Sequence, residues 1–188
     1  MFQVPFHIKD ANSTHGDKNL GDLPEWNLSD LYTAPDASEL SNDLNWLEAE
    51  CATFAADYEG KLVELSADEM MTCVVRNEKI STVAGRVMSY AGLRYYQMTT
   101  DGERTKFLSD CQEKITKFTT PLVFFSLELN RLEDDHIEDL LAQNAALARY
   151  RRVFERMRAM RPHQLSDELE KFIHDLGAVG DAWEKLFD

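Results

Sequence analysis

His163, Glu170, His174 and Asp175 are the residues of this chain whose types and spacing come nearest to metal chemistry. Glu170 and His174 stand four apart, so on a helix they share a face, and with His163 and Asp175 nearby they could supply two or three ligands of the kind zinc accepts. The same spacing is common on solvated helix faces, and an exposed pair with no catalytic task is the expectation. A hydrolytic zinc helix of the His-Glu-x-x-His type needs two imidazoles one turn apart and a glutamate as general base. His7, His15, His136, His163 and His174 are followed by Ile, Gly, Ile, Gln and Asp, so no His-Glu step exists anywhere in the chain.

Other clusters point to structure first. His136 lies among Asp134, Asp135, Glu138 and Asp139, which would favour its protonated form or attract a hard cation weakly. An acid-rich helix start that complements the helix dipole accounts for the same residues. Arg149, Arg151, Arg152, Arg156, Arg158 and Arg161 against Glu155 give six positives and one negative, a net of +5. Such a cluster can grip phosphates or carboxylates. Just upstream, Glu128, Glu133, Asp134, Asp135, Glu138 and Asp139 against Arg131 give a net of −5, so mutual pairing between neighbouring helices, or a solvated face, is expected, with Arg152 and Arg156 as docking candidates. Phe118, Phe124 and Phe125 could line a groove, although their helical spacing reads as core. Tyr90, Tyr95 and Tyr96 leave both roles open, because a tyrosine can bury its ring and present a polar tip. No Gly-rich phosphate loop and no G-x-S-x-G elbow is present.

The elements that must carry these residues are helices. Residues 1–23 have no apolar period and read as a flexible leader. Trp26, Leu28, Leu31 and Tyr32 are too apolar for a free linker, and Ser29 could cap a single turn there, so a docking anchor is expected. Asp36 and Glu39 have capping-box spacing ahead of Leu40, Leu44, Leu47, Cys51, Phe54 and Tyr58, a helix ending near Gly60. Ser66 and Glu69, bracketed by Leu65 and Met70, open a second helix, with a weak point near residue 79 and glycines at 85 and 92. Thr100 and Glu103 mark a third start, and its stripe from Phe107 to Leu132 should kink at Pro121, with Thr119 or Thr120 satisfying the carbonyl freed at Lys117. Shorter helices follow around Ile137 to Leu141 and Leu147 to Met157. Ser166 should cap another that Gly177 ends, and a last helix from Asp181 is still running at Trp183, Leu186 and Phe187, apolar residues that need a partner. Neither strand alternation nor a fixed repeat is found, so the fold class is all-α, built of long antiparallel helical hairpins.

With 188 residues and 44% apolar content the chain supports one domain with a real core. A formal charge of −14 argues against nucleic acid and anionic membranes as partners. Cys51, Cys73 and Cys111 are odd in number, lack C-x-x-C spacing and sit in apolar stripes, which favours the reducing cytoplasm. No signal-peptide pattern and no spanning stretch is seen.

Several segments carry a family likeness. LPEWNLSDLY at 23–32 and RPHQLSDELEKFIHDLGAVGDAWEKLFD at 161–188 resemble the amino-terminal region of the oligoendopeptidase F group of M3 zinc metallopeptidases. SYAGLRYYQMTTDGERTKF resembles that family's tyrosine-containing helix and the joint after it, and PLVFFSLELNRL its next apolar helix. The resemblance implies that residues 24–188 are an amino-terminal helical lobe, truncated before the catalytic domain. Such a lobe would wall a substrate channel for short peptides and be inactive alone. Zinc is then expected in the full-length parent and not on this chain, where no ligand position of the family matches. It further implies the missing catalytic domain as the chief partner, with Trp26, Tyr32, Tyr95, Arg152, Arg156 and Trp183 as docking or channel residues. Self-association through the exposed apolar seam is also expected. The alternative is a stand-alone helical protein-interaction module that binds through the Arg149–Arg161 surface.

Overall fold

The computed structural model describes residues 26–184, with side chains up to Gly177. Among the described residues eight helices follow one another: α1 Ser38–Tyr58, α2 Ala67–Gln97, α3 Gly102–Thr119, α4 Val123–Arg131, α5 Asp134–Gln143, α6 Ala145–Ala148, α7 Arg151–Arg158 and α8 Asp167–Glu184. Among the described residues there is no strand. The molecule is all-α.

The first three helices pack on one another, and their short links make consecutive pairs antiparallel. Their apolar stripes meet in one core, where Leu47, Phe54, Leu62, Met70, Ile80 and Val87 are essentially inaccessible to water. Phe54 lies at its centre, with ring neighbours Tyr58, Phe124 and Phe125. A second layer, α4 to α8, closes over this bundle: α5 and α6 pack on α2, while α7 and α8 pack on α4.

The start of α2 is as its sequence implies: Ser66 and Glu69 make the reciprocal capping box, and Leu65 and Met70 pack into the core. Elsewhere the local chemistry shifts by a residue or two. Helix α1 starts at Ser38 after Ala37, without a side-chain cap, so Asp36 and Glu39 do not form the expected box; Glu39 instead accepts from the Ser38 hydroxyl. At α3 the cap is Asp101, whose carboxylate accepts from the Glu103 and Arg104 amides, in place of Thr100. In the anchor segment it is Asn27, not Ser29, whose side chain turns the backbone, accepting from the Ser29 amide at 3.0 Å. Helix α2 runs unbroken through residue 79.

Pro121 does more than kink its helix. It sits in a 3₁₀ turn, Thr120–Leu122, that separates α3 from α4. Thr119 and Thr120 bond backwards as expected, but onto the carbonyls of Ile115 and Thr116 rather than that of Lys117. Gly177 does not end α8, which continues to Glu184, so the two expected terminal helices are one. Gly60 does end the first hairpin arm, at φ +80°, where a side chain would be strained.

Candidate functional site

The seam between α8 and the α3–α4 joint gathers most of the residues with chemical potential. His174 is half-buried rather than exposed, its Nδ1 3.1 Å from the Thr120 hydroxyl and its Nε2 3.4 Å from that of Thr119. Thr120 also donates to Asp175 at 2.6 Å. Glu170 turns back to accept the Leu165 amide at 2.9 Å, bracing the start of its own helix. His163 lies apart, exposed in the 3₁₀ turn Arg161–His163. Beside this seam a cleft of about 480 Å³ opens between α2 and α8, with Asn77, Ser81, Glu170 and His174 on its walls and Ile80 and Leu122 among its apolar lining.

Among the described residues no three His, Cys, Asp or Glu side chains come together as a metal could use them. The described donors thus do not fit a zinc site. His7 and His15 lie outside the described residues.

The arginine cluster resolves into two populations. Arg151 pairs with Glu138, Arg158 with Asp134, and Arg161 lies 3.7 Å from Asp134, so the basic α7 and the acidic start of α5 neutralise one another as their charges predict. Arg158 also caps the end of α4, donating to the carbonyls of Leu129 and Leu132. Arg152 and Arg156 are on the outer side of α7; Arg152 meets only its helical neighbour Glu155, at 2.6 Å, and both remain exposed.

The aromatic candidates occupy different environments. Tyr32 is 2% exposed and committed to the body of the protein: its hydroxyl donates to Asp43 at 2.5 Å and accepts from Arg86 Nε at 2.9 Å, while the guanidinium lies 4.5 Å from its ring centre. Burial above all, then the hydrogen bond to Asp43, pushes its phenol up to about 12. Leu28 and Leu31 pack on the core beside it, making 26–32 the anchor the sequence implied. Trp26 stays 57% exposed, and its carbonyl accepts from Gln97 at 3.0 Å. Tyr95 is half-buried against Tyr96, their rings 5.3 Å apart. The Trp183 side chain lies outside the described residues.

Two polar centres have no local sequence signal. Glu128 accepts from the amides of Gly60 and Leu62 at 2.6 and 3.3 Å, satisfying the α1–α2 link from 66 or more residues away. Arg76 bonds Glu50 at 2.8 Å and Asp57 at 2.7 Å with the rings of Phe54 and Tyr58 beneath it.

Comparison with known proteins converges on one group. Residues 128–188 match the family model Peptidase_M3_N, described as Oligopeptidase F. The chain is similar to "Oligoendopeptidase F, plasmid" of Lactococcus lactis subsp. cremoris, 23% identical over 174 residues that make up 91% of this chain and 28% of that protein. It is 22% identical, with the same coverage, to "Oligoendopeptidase F homolog" of Lactococcus lactis subsp. lactis (strain IL1403). The crystal structure of oligoendopeptidase-F from Enterococcus faecium shares the fold at a TM-score of 0.65 and 22% identity, over 79% of this chain and 27% of that one. The chain therefore spans about 28% of the length of the curated relatives it matches. Together these matches make the chain similar to the amino-terminal region of oligoendopeptidase F, an M3-type peptidase.

Proposed function

We propose that residues 24–188 are the amino-terminal helical lobe of a longer M3-type oligoendopeptidase that cleaves short peptides, and that the lobe shapes the substrate channel and has no activity alone. The observation that carries this reading is the match along nearly the whole chain to proteins of which it spans only about 28%. The missing His-Glu-x-x-His step supports inactivity, since a zinc hydrolase needs that helix and here it would have to lie elsewhere in the polypeptide. Zinc in the parent and a catalytic domain as partner follow from the same reading. The open cleft beside α8 is of a size that suits a channel wall. The cytoplasm is the proposed location, supported by three buried cysteines that form no disulfide. None of the described helices is long and apolar enough to cross a membrane.

Purified residues 1–188, incubated with a fluorogenic short peptide and zinc, should show no cleavage above the blank. Cleavage that a chelator abolishes would sink the reading. The alternative, a stand-alone interaction module, is favoured only by the outward, exposed Arg152 and Arg156.

A further inference from the structure

Helix α8 is mounted with its polar face inward. Asp167 pairs with Arg131, Lys171 with Glu59 at 3.1 Å, and His174 and Asp175 with the threonines of the α3–α4 joint. Leu169, Phe172 and Leu176 face the other way and, with Leu165 just ahead of the helix, are 42 to 57% exposed, while Ile173 stands at the edge and lines the cleft against α2. A surface helix normally buries that stripe and solvates the other. The anomaly is local, for of the twelve large hydrophobics exposed among the described residues, seven fall between Val153 and Leu176.

The spacing says what shape would cover it. Leu165, Leu169, Phe172 and Leu176 alternate four and three apart, and the same alternation continues in the sequence at Val179, Trp183 and Leu186, whose side chains lie outside the described residues. An apolar stripe at that spacing is the pattern that receives another helix, knobs into holes. Glu168 and Asp175, seven apart, border one edge of the stripe, so the facing edge of the incoming helix should be basic. A second copy would present the same acidic edge in an antiparallel pairing, which disfavours a homodimer.

We propose that the outward face of α8 is the docking seam for one amphipathic helix from the polypeptide beyond Asp188, a helix with its own apolar heptad stripe and a Lys- or Arg-bearing edge. This rests on the reading of the chain as part of a longer protein, which its coverage of about 28% of its relatives supports.

A single thiol tests it. Cys51, Cys73 and Cys111 are buried, and burial pushes their thiols up to about 11, 12 and 11, so they stay silent toward a thiol reagent in the folded protein. Phe172→Cys is installed in residues 1–188 and in the polypeptide extended past Asp188, with Ser41→Cys, exposed on α1, as the control site. The expected result is rapid labelling of position 172 in the short chain, labelling slowed about ten-fold or more in the long one, and equal rates at position 41. Equal rates at 172 in both forms overturn the proposal. So does protection at 172 in the short chain together with a dimeric mass, which assigns the seam to a second copy, and so does a reading frame that stops at Asp188. Protection at 172 in a long chain that cleaves no peptide would leave the seam standing and remove the peptidase reading.

Discussion

Tyr32 stands 11 residues from Asp43 and 54 from Arg86, yet the three side chains form one hydrogen-bonded unit that fastens the anchor segment across α1 and α2. Removing the hydroxyl leaves the Asp43–Arg86 pair in place but deletes a bond to a charged acceptor from a buried position. Tyr32→Phe should therefore lower unfolding free energy by about 1 to 2 kcal/mol in urea titrations; an unchanged midpoint would show that the unit is ornamental. The same burial sets the alkaline limit of the fold. Tyr32 rises from 10.0 to about 12, and Cys51, Cys73 and Cys111 rise from 9.0 to about 11, 12 and 11. Their folded-state values lie above the unfolded ones, so the native state keeps protons that the unfolded chain has released, and the stability they contribute is complete below about pH 9. It should drain away as pH climbs from about 9 to 12. Thermal scans in that window should show a falling Tm, accompanied by thiol reactivity that appears only on unfolding; thiols titrating near 9 in the folded protein would contradict this.

The helices were legible in the sequence because amphipathic stripes at three-and-four spacing have one structural reading, and Leu40 to Tyr58 or Ile137 to Leu141 carry it plainly. Their edges were less so. Around Asp36 and Thr100 several residues with side-chain oxygens compete to cap within a few positions, and tertiary packing decides among them. A mid-helix glycine such as Gly177 weakens a helix without ending it, so the sequence suggests two helices where α8 is one. The contacts that hold the elements together, Glu128 on the α1–α2 link and Arg76 between Glu50 and Asp57, were invisible because nothing local announces a partner tens of residues away. Within α2, Gly85 is exposed, and a Cβ there would meet nothing within 4 Å. Gly85→Ala should raise stability by about 0.5 to 1 kcal/mol, as a helical glycine replaced without a clash does. A loss of stability on calorimetry would mean that the bend or breathing of α2 matters to the packed state.

At the scale of the molecule, the chain has a well-filled core between α1, α2, α3 and the second layer, and one face of the second layer that is finished differently. The candidate residues divide along that line: Tyr32 belongs to the finished interior, while Arg152, Arg156 and the stripe of α8 belong to the unfinished exterior. The proposed lobe of a larger protein accounts for such a face, and the chain spans about 28% of the length of the relatives it matches. The most direct test is the reading frame downstream of codon 188. It should continue through a His-Glu-x-x-His helix in a polypeptide about as long as the oligoendopeptidase F relatives. A stop codon immediately after Asp188 would contradict it, leaving the peptidase likeness as descent alone and the α7–α8 face as a surface for some other partner.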